Sequence, residues 1–116
     1  IERESKEATA RIEEEYKTKT VIIKQKGEKI VEYVDRFITK EADARCVIPV
    51  NVVELHNSAA KNELPDPYRV AKESHSGIAL STTTKTVVEN YNLANEIRQQ
   101  LISLQDWIRE QQKINP

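Results

Sequence analysis

Few residues in this chain are of types that do chemistry, and their spacing decides what each can do. His56 and His75 stand apart, with no cysteine or carboxylate at ligand spacing. Glu54 lies two residues from His56, which puts the two on different faces of a helix. A metal site needs several ligands converging, so two surface or partly buried histidines are the simpler account. Ser81 has no histidine or aspartate arranged near it and no strand–turn–helix elbow, so it suits helix capping better than nucleophilic attack. Cys46 is the one cysteine, which excludes an internal disulfide and a multi-cysteine metal site. The chain has two glycines and no phosphate-cradling loop. No enzyme is expected from this set, and no cofactor.

One further cluster is electrostatic. Lys17, Lys19, Lys24, Lys26 and Lys29 face only Glu28 in their stretch, a pattern that suits anionic lipid or nucleic acid. The adjoining Glu13-Glu14-Glu15 run argues instead for a solvated, neutral helix. Residues 1–45 carry equal numbers of basic and acidic side chains, and the whole chain has a net charge of -1. A nucleic-acid binder needs a basic surplus to displace counterions, so nucleic acid is not an expected partner.

The elements that carry these residues read as helices. Charged residues make up 32% of the chain and aromatics 5%, a thin apolar supply for a globule. In residues 1–45, Ile1, Ala8, Ile12, Tyr16, Ile23, Ile30, Val34 and Phe37 fall on one helical stripe. A helix of that length is roughly 65 Å long, more than a small globule needs. It is therefore expected to be a coiled-coil-like stalk whose seam is Ile12, Tyr16, Ile23, Ile30, Val34 and Phe37, pairing with another helix and most simply with a second copy. Glu2 with Lys6, Glu7 with Arg11 and Glu13 with Lys17 have the favourable i,i+4 order. The seam is patchy, because Lys19, Lys26 and Lys40 fall on its d line. A β-hairpin competes here: residues 20–23 and 30–34 are rich in β-branched types and flank Lys26-Gly27-Glu28. Helix is preferred because the apolar stripe enters and leaves this stretch in phase. Gly27 then costs about 1 kcal/mol against Ala and is a candidate soft point.

Pro49 ends the stalk and makes Cys46-Val47-Ile48 extended. Residues 50–61 fit a short helix, with Val52, Val53, Leu55 and Ala59 towards a small core. Residues 62–77 hold breaker clusters and are expected to form a mobile loop. A last helix is expected over about 82–113, capped by Ser81. Its face is Val87, Tyr91, Ala94, Ile97, Leu101, Leu104 and Ile108, widened by Ile102 and Trp107. That face must pack on the first helix or on a second chain. The expected architecture is all-α: a 1–45 stalk, a short helix and loop over 46–81, and a C-terminal helix over 82–116.

Blocks in the second half also resemble a known family. They are Cys46-Val47-Ile48-Pro49-Val50-Asn51-Val52-Val53-Glu54-Leu55-His56-Asn57-Ser58-Ala59-Ala60, then Ser76-Gly77-Ile78-Ala79-Leu80-Ser81, Thr86-Val87-Val88-Glu89-Asn90-Tyr91, and Gln100-Leu101-Ile102-Ser103-Leu104-Gln105-Asp106-Trp107-Ile108-Arg109-Glu110. Together they resemble phage lysis proteins of the Rz type, the inner-membrane subunits of the spanin complex. The resemblance implies a helical segment in the periplasm of a Gram-negative host. It also implies an N-terminal anchor in the inner membrane, and the absence of methionine marks this chain as a fragment that lacks it. The implied partner is a small outer-membrane lipoprotein, the other spanin subunit. The implied act is disruption of the outer membrane at lysis, after the wall is degraded. Relatives often carry a second cysteine shortly after the Asn-Tyr pair, where this chain has Asn92-Leu93-Ala94. Cys46 is then left either to pair between chains in the oxidising periplasm or, as favoured, to remain a free or buried thiol. The rival reading is a non-enzymatic coiled-coil scaffold or adaptor with no membrane anchor.

Overall fold

The computed structural model describes residues 1–46, 48–65 and 75–116. Within them the chain is all-α, with four helices: α1 (Glu2–Phe37), α2 (Lys40–Arg45), α3 (Val50–Ala60) and α4 (Leu80–Ile114). The long N-terminal helix, short middle helices and long C-terminal helix match the sequence reading. The hairpin alternative for residues 20–34 is excluded, because α1 runs through them unbroken. The loop expected over 62–77 falls largely on residues 66–74, outside the described residues.

The stalk helix ends at Phe37, the last residue of its apolar stripe, and falls short of the expected bound at residue 45. Thr39 takes an extended conformation (φ -69°, ψ 160°), and its Oγ1 accepts the Ala42 amide at 3.1 Å. A β-branched hydroxyl residue at this point offers the next helix an N-cap in place of continued α-helix. Residues 40–45 therefore form a separate helix, and the continuous helix does not reach Arg45. Cys46 is extended, with φ -84° and ψ 113°. Pro49 caps α3 with φ -67° and ψ 151°, a position where its missing amide costs nothing. α3 closes in a Schellman arrangement. Asn62 adopts φ 57°, and the amides of Asn62 and Glu63 return to the carbonyls of Ala59 (3.0 Å) and Ser58 (2.8 Å).

The chain forms two compact units. The first comprises Ile1–Glu32 and Val87–Pro116 and is an antiparallel pair of helices. Ser5 donates to Gln111, Trp107 donates to Thr9, and Lys24 pairs with Glu96, so numbers rise along one helix as they fall along the other. Ala8 and Ile12 are its buried apolar side chains. The second unit, Tyr33–Thr86, buries Val34 and Ile48. A single antiparallel bridge joins Pro49 to His75, and the Ser76 amide donates to the Ile48 carbonyl at 3.0 Å.

Candidate interaction surface

The first unit places the two predicted stripes differently. On α1, Ile12 is buried and Tyr16 and Ile23 are half-buried against α4, so the neighbour met by this part of the stripe is α4 of the same chain. Ile30 is exposed. Farther along, Val34 is buried in the second unit and Phe37 is 85% exposed.

On α4 the arrangement is inverted. Between Asn92 and Glu110 the residues turned towards α1 are polar: Asn92, Glu96, Gln99, Ser103, Asp106 and Glu110 are all half-buried, and the same face ends in half-buried Val88 and Ile114. They recur at steps of three and four, so they form one face. The apolar face lies almost opposite, at about 100° per residue around the helix axis. Ile97, Leu101, Leu104 and Ile108 remain 58%, 54%, 53% and 43% exposed, and Tyr91 is exposed with them. Val87 is half-buried. Trp107 sits at the edge of the stripe, its Nε1 donating to Thr9 Oγ1 at 2.8 Å.

Polar packing explains what holds this pair together and what it leaves unsatisfied. Ser5 Oγ donates to Gln111 Oε1 at 2.7 Å, while Gln111 Nε2 has no partner. Lys24 approaches Glu96 Oε1 at 3.7 Å, an ion pair too long to be a hydrogen bond, so that buried oxygen stays unbonded. Arg11 reaches Glu110 at 3.4 Å rather than its i,i+4 neighbour Glu7, which pairs with Arg3 instead. Glu2 and Lys6 pair at 3.7 Å as their spacing predicts. Lys113, and secondarily Arg11, hold the Glu110 carboxyl below its ordinary range. The Arg3–Glu7 and Glu2–Lys6 pairs, exposed on both sides, contribute little, about 0–1 kcal/mol each.

At Gly27 the two helices approach closely. It is buried, and a Cβ added there would run into the Asn92 side chain. The glycine is therefore a contact point as well as a weak spot in helix propensity. An isolated glycine in a helical pattern is the signal that could have marked this approach.

In the second unit the site that sequence reasoning missed is Asp43 with Ser81. Ser81 lies inside the first turn of α4 and is not its cap. Its amide donates to Asp43 Oδ1 at 2.9 Å and its hydroxyl to Oδ2 at 2.6 Å. These two bonds, the hydroxyl's first, hold the Asp43 carboxyl below its ordinary value. Lys85, one turn beyond Ser81, pairs with Asp35, 50 positions earlier in the chain, at 3.0 Å. Of the expected core residues on α3, Val52 and Val53 are half-buried while Leu55 and Ala59 are exposed. His56 is exposed, and His75 uses Nδ1 to accept the Gly77 amide at 2.9 Å. Cys46 is a free, half-buried thiol. No group of three or more metal-ligating side chains converges among the described residues. No described helix is long and apolar enough to cross a membrane. No family model, curated protein or solved structure matches the chain.

Proposed function

We propose that this chain is the periplasmic segment of a phage inner-membrane spanin subunit, a non-enzymatic protein of host lysis. In this reading an N-terminal anchor holds it in the inner membrane. It pairs with a second copy of itself and with an outer-membrane lipoprotein, and the assembly disrupts the outer membrane once the wall is gone. The observation that carries the reading is the outward apolar stripe of α4. A helix that gives its polar face to its own chain and keeps a three–four apolar seam free is built to pair with another helix. The flanks of the seam suit a second copy. Leu93, Gln100, Gln105 and Gln112 are uncharged, and Arg98 meets no equivalent cation in either orientation. The resemblance of the blocks 46–60, 76–81, 86–91 and 100–110 to Rz-type proteins supplies the lysis context and the lipoprotein partner.

The same seam serves a scaffold or adaptor equally well, and infection separates the two. In a Gram-negative host infected by the phage with this gene deleted, the wall should be degraded while cells stay enclosed, and the full chain should restore bursting. Unchanged lysis without the gene would leave the scaffold reading in place.

A further inference from the structure

The two grooves that flank the Gly27 contact differ in charge. One, of about 580 Å³, carries Glu28, Glu89 and Glu96, and its Lys24 is paired with Glu96. The other, of about 320 Å³, has no acidic residue in its lining. Its walls are Ile23 and Ile30 from α1 and Ile102 from α4, and its rim carries Lys26 and Arg98. Ile30, Ile102, Lys26 and Arg98 are all exposed. No described residue pairs with either cation. One helix pair thus presents a net acidic side and a side with apolar walls and two unneutralised positive charges.

We infer that the acid-free groove binds an acidic amphipathic helix of a partner protein. Two antiparallel helices leave a furrow into which a third helix lays side chains spaced three and four residues apart. Ile23 and Ile30 stand seven residues apart, two turns, so a docked helix can set one apolar side chain beside each. Ile102 closes the opposite wall. Carboxylates on the flanks of the incoming helix then reach Lys26 from one side and Arg98 from the other, and Asn95 and Gln99 give it hydrogen-bonding partners. The volume favours side chains over a small molecule. It lies at the bottom of the range of small-ligand pockets, roughly 300–1,000 Å³, and it is an open furrow. This inference rests on the groove alone and is independent of the lysis role.

The test uses the full chain and a labelled three-heptad helical peptide, with leucines at three–four spacing and glutamates on the flanks. A counterpart with lysine in place of glutamate serves as control. Fluorescence anisotropy should show saturable binding of the acidic peptide, weaker at high salt, and none of the basic one. Lys26→Glu with Arg98→Glu should weaken binding roughly tenfold or more. Both side chains are exposed and unpaired, so circular dichroism should stay unchanged. Glu28→Lys, in the opposite groove, should leave binding unaltered. Equal binding of both peptides, or an acidic-peptide affinity indifferent to the double charge reversal, overturns the inference. So does the absence of acidic-peptide binding to the native chain.

Discussion

Gly27→Ala is the substitution whose outcome most clearly separates tertiary packing from helix propensity. Propensity alone predicts a gain of about 0.8–1.0 kcal/mol, because alanine is the better helix former. The new Cβ, however, enters space held by the Asn92 amide group. Asn92 is half-buried and its side chain is short, so relief requires a changed rotamer or a shift of α4. Overpacking of this kind costs about 1–3 kcal/mol. The expected net effect is a loss of up to about 2 kcal/mol, with the gain in propensity offset by the clash. Asn92→Ala removes the obstruction, so Gly27→Ala made in that background should stabilise by about 1 kcal/mol. The coupling between the two positions is then about 1–3 kcal/mol, and any effect of Asn92→Ala on α4 propensity cancels in the cycle. Urea titrations of all four proteins followed by circular dichroism measure it. A Gly27→Ala protein that gains the full propensity term with Asn92 present would refute the obstruction by Asn92 at this point.

Other predictions follow from single contacts. Thr9→Val removes the acceptor of the Trp107 indole bond; stability should fall by about 0.5–1.5 kcal/mol, and the emission of this lone tryptophan should shift. Thr39→Ala deletes the cap that starts α2 and should cost about 0.5–2 kcal/mol in a urea titration. The Asp43 carboxyl is stabilised as the anion by Ser81, so its folded pKa lies below its unfolded one. The stability it contributes is therefore present above the ordinary carboxylate value and is lost as pH falls through the depressed one. Ser81→Ala should return Asp43 towards its ordinary value in a carboxyl NMR titration, and an unmoved titration would contradict the assignment.

Much of the fold was legible because helical period is a strong signal over long segments. The stripe from Ala8 through Ile12 and Ile23 to Val34 fixed α1 as a helix through lysine-rich and β-branched residues alike. Pro49 and the breakers after Ala60 bounded α3. The end of α1 was legible only in part: the stripe stops at Phe37, but no proline or glycine follows until Pro49, and the stop comes from a local hydrogen bond at Thr39. Ser81 looks like a cap by type, yet its hydroxyl serves Asp43, 38 positions earlier in the chain. Ile97, Leu101, Leu104 and Ile108 share one exposed face of α4, while Trp107 and Ile102 sit towards α1. What periodicity cannot tell is which face a helix turns to its own chain. Here Asn92, Glu96 and Gln99 meet α1 while Leu101 and Leu104 look outward. That choice depends on the partner face across the interface, which no single segment encodes.

The pairing of chains through α4 is the claim on which the functional reading depends, and molar mass in solution tests it most directly. Multi-angle light scattering across a concentration series should give a dimer for the native chain. Leu101→Asp with Leu104→Asp should give a folded monomer, since both side chains already face solvent within the single chain. A native chain that stays monomeric at every concentration, or a double variant that dimerises unchanged, would contradict it.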